Sequence, residues 1–407
     1  MYEITKEASV LLHLLRRNFR QDTELLPHSV LETVDWQAVM QESAQQAVLI
    51  SVFDAAAAYK KYIPAAVYQH WFQRVSRGMM SNLRVNNAQR ELISLLEAHG
   101  YPYVILKGES AASYYPRPEL RHLGDVDFLI EASQKDEIEK IFLAAGYTSE
   151  LHEHICHIVL KKPGAHLEMH FEIAGIPYGR PGEIVRTYMQ DTLFCKKRIG
   201  SADTGFYSPD EAHHGLILLL HMQHHMVSEG LGLRHLSDWA AFVDQTREMP
   251  FWEARLLPLL KRIGLYKYAA VMTKVCADAL GTACPSWAQA EPELCGAILQ
   301  DILTGGNFGR KDRERRSAGM MISEHGKDGL SHGSIYNLWK TLHQSTPGKF
   351  PVVQRIKVLH LVLDAYRAGV YLCRRAAGKR PSLVKMGKFA KERRSVYEQL
   401  EIFETEE

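Results

Sequence analysis

The stretch Arg121-His122-Leu123-Gly124-Asp125-Val126-Asp127-Phe128-Leu129-Ile130 decides how this chain is read. Residues 126–130 form a short continuous apolar run, the pattern of a buried strand. Asp125 and Asp127 are two apart at its opening, so on a strand they project from one face. Alone, such a pair also fits a solvated strand end or a helix cap. On a strand built for burial, unpaired carboxylates are costly and demand counter-charge. A divalent cation supplies it, and oxygen ligands suit Mg²⁺, or Mn²⁺ in its place.

Working outward, residues 103–106 follow Pro102 and read as another buried strand. Leu106-Lys107-Gly108-Glu109-Ser110 comes next, ahead of a helix-like segment. Gly108 lets backbone N–H groups approach a phosphate, which Lys107 and Ser110 can also contact. Downstream, 136–145 reads as a helix ending at Gly146. Residues 155–160 and 167–173 read as strands joined through the turn Lys162-Pro163-Gly164. In the second, His166, Glu168, His170 and Glu172 alternate with Leu167, Met169, Phe171 and Ile173. Glu168 is the best third carboxylate for a two-metal site, although Glu172 shares its face. Two further β-like pieces, 192–199 and 206–208, complete the mixed section.

Both flanks are helical in pattern. Helices are expected over 7–19, 36–58, 65–77 and 80–99 before the strands. After them come 210–227, 234–245, 252–263, 265–280 and 292–303, then 352–377 and 382–403. Ser208, with Pro209 and Glu211, has the form of a capping box for the first of these. The division expected is 1–83 N-terminal helices, 84–208 an α/β (α+β) core with a small mixed sheet, and 209–407 C-terminal helices.

Composition narrows the classes. The chain has 407 residues, 46% hydrophobic and 24% charged, which excludes disordered, collagenous and coiled-coil classes. A net charge of +2 argues for no overall field toward nucleic acid or anionic membrane. No apolar run approaches the roughly 18 residues of a spanning helix. The first residues lack the basic start and cleavage site of a signal peptide, so a cytoplasmic protein is expected. Six cysteines without a CxxC pattern read as reduced, mostly buried thiols. Residues 310–316 read as a solvated loop. Residues 374–394 hold nine Lys or Arg against Glu392, and a solvated helix is preferred there over nucleic-acid binding, since aromatic stacking partners are scarce. His152, His154 and His157 read as solvated. His221, with His224 or His225 and with His213 or His214, has helical spacing that zinc could use, but a site-lining or core role is preferred. Arg234 and Asp238 are i,i+4 and could pair with each other near the cleft.

The ordered set resembles the DNA polymerase β-type nucleotidyltransferase superfamily. It is most similar to an uncharacterised bacterial branch with an LKG…R…GDxD pattern followed by an acid-x-His strand. Here the pieces are Leu106-Lys107-Gly108, Arg121, Gly124-Asp125-Val126-Asp127 and Glu168-Met169-His170. A downstream helix with spaced histidines, then Arg and Asp, is matched by His221-Met222-Gln223-His224-His225 and Arg234-His235-Leu236-Ser237-Asp238. The likeness spans residues 84–245. It implies that Asp125, Asp127 and Glu168 hold two metals, that Lys107, Gly108 and Ser110 hold a triphosphate, and that Arg121 offsets its charge. His170, His221, Arg234 and Asp238 would line the site. Two departures stand out: Glu109 intervenes between Gly108 and Ser110, and the third acid is Glu rather than Asp.

The function expected is Mg²⁺-dependent transfer of NMP from an NTP to an acceptor hydroxyl, releasing pyrophosphate. The acceptor, a small molecule or a protein, is not named by the sequence. A protein-modifying, antitoxin-type enzyme is one alternative. A catalytically weak nucleotide-sensing module is another: Glu109 favours it and the three acids oppose it. Neutralising either Asp125 or Asp127 is expected to spare the fold.

Overall fold

The apolar runs around the aspartate pair become the middle of a five-stranded sheet. The computed structural model describes residues 4–20, 25–150, 156–201, 205–318, 339, 343, 346, 350, 359–376 and 382–405. Helices α1 (Lys6–Phe19), α2 (His28–Thr33), α3 (Trp36–Gln45), α4 (Leu49–Ala56) and α5 (Ala65–Ala98) precede the sheet. Thr5 caps α1 through the Ala8 amide, and Asp35 caps α3 through the amides of Gln37 and Ala38. Two helices expected over 65–99 are one. Gly78, which costs a helix interior only about 1 kcal/mol, lies against Ile50 of α4 and is outweighed by that packing. The expected boundary at 83/84 therefore falls inside α5.

Strands β1 (Val104–Ile105), β2 (Val126–Leu129), β3 (Thr148–Ser149), β4 (His157–Lys162) and β5 (Ala165–His170) pair in the order β1-β2-β5-β4-β3. Only β2 and β5 run parallel, so the sheet is mixed, as expected of the α+β core. Helices α6 (Glu109–Ala112) and α7 (Lys135–Ala144) follow β1 and β2. Val126, Phe128, Ile130, Leu167 and Met169 pack one face of the sheet onto Leu92 and Leu96 of α5 and Ile138 and Phe142 of α7. Side-chain alternation sends Asp127, Glu168 and His170 to the other face. Strand β5 stops at His170, short of 173, because the Phe171 and Glu172 amides both donate to the Cys156 carbonyl.

Beyond the sheet lie α8 (Gly179–Met189) and a hairpin of β6 (Lys196–Ile199) and β7 (Phe206–Pro209). Then follow α9 (Glu211–Ser228), α10 (Leu233–Thr246), α11 (Leu257–Arg262), α12 (Tyr266–Leu280), α13 (Pro292–Gly305) and α14 (Arg313–Ala318), and the helices Leu359–Ala376 and Leu383–Glu398. Leu11 and Leu14 of α1, Leu219 of α9, Trp239 of α10 and Met272 of α12 share one core, so N- and C-terminal helices close together. The cap of α9 is Asp210 rather than Ser208, which belongs to β7. Asp210 wins because its carboxylate accepts from the His213 amide at 2.9 Å and from Arg255 at 2.7 Å.

The basic stretches are less solvated than expected. Arg315 is buried and paired with Asp301, while Arg393 is buried and donates to the Met226 carbonyl and the Tyr397 hydroxyl. Lys379 and Arg380, with the side chains of Arg374 and Arg375, lie outside the described residues. Of the free cysteines, Cys276 and Cys295 are buried and Cys284 and Cys373 exposed, fewer buried than expected.

One buried histidine gives the fold a pH dependence. His214 of α9 is fully buried and bonded to the Tyr114 hydroxyl at 3.1 Å. Burial, then the Lys197 charge, push it down to about 3. Its folded value is below its unfolded one, so the unfolded chain binds the extra proton and stability falls as pH drops from about 6.5 toward 3. We expect His214→Gln to flatten that slope by up to about 1.4 kcal/mol per pH unit in urea unfolding. Identical slopes for both proteins would refute it.

Candidate active site

Parallel pairing of β2 with β5 sets Asp127 directly opposite Glu168. Asp125 precedes β2 with the same side-chain parity, half-buried beside the pair. Asp127 is buried, and Lys107 Nζ lies 2.7 Å from its Oδ1. His170 Nε2 donates to the same oxygen at 3.1 Å and lies 3.5 Å from Glu168 Oε2. Burial alone would raise the Asp127 carboxyl, but Lys107 and His170 hold it far below the usual carboxylate range. Against the effect of its burial, hydrogen bonds to Asp127, Cys156 and Glu168 raise His170 well above an ordinary imidazole. Asp125 goes the other way: burial, then the charges of Asp127 and Glu168, push its carboxyl up. Glu172 stands apart, 2.8 Å from Arg186 and beyond the end of β5.

The loop between β1 and α6 is shaped by Gly108, whose φ of +62° and ψ of −115° suit glycine alone. A Cβ there would approach the Asp125 carbonyl to 3.8 Å, so the two motifs are joined at this residue. Ser110 is buried and its hydroxyl donates to the Ile105 carbonyl at 2.5 Å, which ties the loop to β1 rather than facing a ligand. Glu109 turns toward α5, where Gln89 Nε2 donates to its carboxylate at 2.5 Å. Burial raises that carboxyl, against the lowering effects of the Gln89 hydrogen bond and of Arg90.

Arg121 is buried, and its guanidinium grips Asp238 of α10 at both oxygens, each at 2.7 Å. The Tyr115 hydroxyl donates to the same carboxylate at 2.7 Å. Asn82 of α5 fixes the backbone, donating to the Arg121 carbonyl and accepting from the Leu123 amide, both at 2.9 Å. Asp238 thus belongs to Arg121 and not to Arg234. Arg234 has no ion-pair partner within 4 Å among the described residues, and its Nε is buried without a hydrogen bond. Burial, then Arg121, lower its guanidinium from the ordinary value. Gln46 positions the start of α10 by accepting the Leu233 amide at its side chain and the Arg234 amide at its carbonyl. Arg234 approaches Gly124 on one side and on the other lines a small cleft with Phe19, Tyr115, Arg121, His122 and Ser237.

His221 of α9 accepts from Lys107 Nζ at 3.3 Å, so it lines the site beside the carboxylates. His157, expected in solvent, is half-buried with Nε2 3.9 Å from Glu168 Oε2, because its β4 position pairs with His170. His152 and His154 lie outside the described residues. Sequence reasoning missed His157, Gln89 and Asn82. Only the period of β4 could have flagged His157, and nothing local flags the two amides.

The donors suit a hard divalent cation. Asp127 and Glu168 each offer an oxygen within 4.8 Å of the other, and His170 stands beside them as a proton donor to Asp127. The raised Asp125 carboxyl marks the cluster as short of positive charge, which an ion held by oxygens relieves.

The α+β core with its mixed five-stranded sheet and flanking helices is consistent with a nucleotidyltransferase core. The model of a family of uncharacterised nucleotidyltransferases matches residues 32–281, more than half of the chain, and the protein belongs to that family. Comparison with curated proteins and with solved structures returns no match.

Proposed function

We propose that the protein transfers a nucleoside monophosphate from an NTP to an acceptor hydroxyl, with Asp125, Asp127 and Glu168 holding Mg²⁺. The observation that supports this most is the β2–β5 register, with Asp127 abreast of Glu168 and Asp125 beside them. Bound there, the metal supplies charge stabilisation for the attacking and leaving oxygens. Lys107 and His170 now neutralise Asp127 and would be released from it toward phosphate oxygens. The Gly108 turn brings backbone amides close to the same place. Arg234, lacking a carboxylate partner, is the better guanidinium for the triphosphate, since Arg121 is held by Asp238. The turn of Glu109 toward Gln89 favours an enzyme over a sensor, because the repulsion it would exert on a triphosphate is reduced. No described helix is long and apolar enough to cross a membrane.

The test is a panel of ATP, CTP, GTP and UTP with Mg²⁺ or Mn²⁺. A nucleotide at a hundred times its Kd should stabilise the fold by about 2.7 kcal/mol and yield pyrophosphate. Lys107→Ala and Arg234→Gln should each weaken binding by about 1.5–3 kcal/mol and so remove about half or more of that gain, and Glu168→Gln should cost more turnover than Glu172→Gln. No thermal shift and no pyrophosphate across the panel would reject the proposal.

A further inference from the structure

We propose that His221, His225 and His235 form a binding site for a divalent transition metal of the zinc class, separate from the carboxylate cluster. His221 and His225 are one turn apart on α9, and His235 comes from the first turn of α10. Each offers a ring nitrogen within 4.8 Å of the other two. Their ring centres are 4.3, 5.4 and 5.3 Å apart. Three imidazoles bound tetrahedrally, with nitrogens about 2.0–2.1 Å from zinc, put their ring centres about 5 Å apart.

The polar atoms point to a ligand. His235 is 2% exposed, yet neither of its ring nitrogens has a hydrogen-bond partner. His225 Nδ1 is buried without one too. Core histidines ordinarily find partners, so two deprived rings facing a third need an explanation. His221 accepts from the Lys107 ammonium at Nδ1, which marks it as a neutral ring with a lone pair to offer. Burial holds all three imidazoles well below their ordinary range, which keeps them in the neutral, ligating form. An all-imidazole set suits zinc, cobalt, nickel or copper rather than magnesium.

The site is also walled. Phe308 lies 4.7 Å from the His225 ring and 5.3 Å from the His235 ring, ring centre to ring centre. It sits at a φ of 56°, a left-handed backbone that a phenylalanine adopts only when its surroundings enforce it. The neighbouring backbone is closely packed: a Cβ on Gly232, just before α10, would meet Asn307 at 2.6 Å. The loop that carries Phe308 is thus clamped over the histidines.

The test uses the untagged full chain, stripped with chelator and titrated with Co²⁺. One equivalent should bind and give visible d–d absorption of a low-coordinate site. Its ¹H spectrum should hold three exchangeable imidazole N–H resonances with paramagnetic shifts. His235→Phe and His225→Gln should each abolish the absorption or weaken binding by roughly tenfold or more. Glu168→Gln, in the Asp127–Glu168–His170 cluster, and Cys195→Ser, in a cluster of Asp191, Cys195 and His213, alter two of the four other groups of metal-ligating side chains among the described residues and should retain it. Absence of Co²⁺ uptake, fewer than three shifted imidazole protons, or absorption that survives in a folded histidine variant overturns the proposal. Should both histidine variants fail to fold, the proton count in the wild type decides. The outcome is independent of nucleotide turnover.

Discussion

Asp127→Asn is expected to abolish turnover and to lower the stability of the metal-free protein by about 3 kcal/mol, whereas Asp125→Asn abolishes turnover at little cost to the fold. The two carboxylates differ in what surrounds them. Asp127 is the counter-ion of a buried ammonium and of a raised imidazole, so removing its charge strands Lys107 and His170. Asp125 is pushed up by burial and by its acidic neighbours, so neutralising it relieves repulsion. This corrects the expectation that either change spares the fold, which treated both as free carboxylates awaiting metal. Urea unfolding in the presence of chelator separates them. Equal losses in the two variants would mean that Lys107 draws its counter-charge from Glu168 instead.

Much of the site was legible because it is local or periodic. The D-x-D pair, the strand that carries it and the alternation of β5 follow from the two-residue period of a strand, and pairing then brings Glu168 to Asp127. The glycine at 108 is legible for a related reason, since only a residue without a side chain tolerates its backbone. What was not legible is pairing between distant segments. Arg234 and Asp238 have the spacing of a helical ion pair, but such a pair gains only about 0.2–0.5 kcal/mol. A buried two-pronged bond from Arg121 outcompetes it, and no local pattern announces that partner. Glu109 is similar: its effect depends on whether it faces the loop or α5, and Gln89, twenty residues upstream, decides. His235 escaped because its ring joins the α9 histidines only through the turn of the chain before α10.

The grip of Arg121 on Asp238 leads to the second large effect. Asp238→Ala removes both acceptors from a buried guanidinium and also strands the Tyr115 hydroxyl, so a loss of about 3–5 kcal/mol is expected. Arg121→Lys should cost nearly as much despite keeping the charge, because an ammonium cannot make two parallel bonds to one carboxylate. The backbone of Arg121 is tied to Asn82 and leads directly into Leu123, Gly124 and Asp125. Loosening it should therefore reach Asp125 through the chain. Arg234→Gln makes the opposite case, since among the described residues no carboxylate pairs with its guanidinium. It should leave the metal-free fold within about 1 kcal/mol of wild type, or above it, while weakening nucleotide binding. Chemical unfolding of the three variants, run alongside nucleotide thermal shifts, tests this division. An Arg121→Lys protein as stable as wild type but deaf to nucleotide would return Arg121 to the triphosphate and make Asp238 its resting partner.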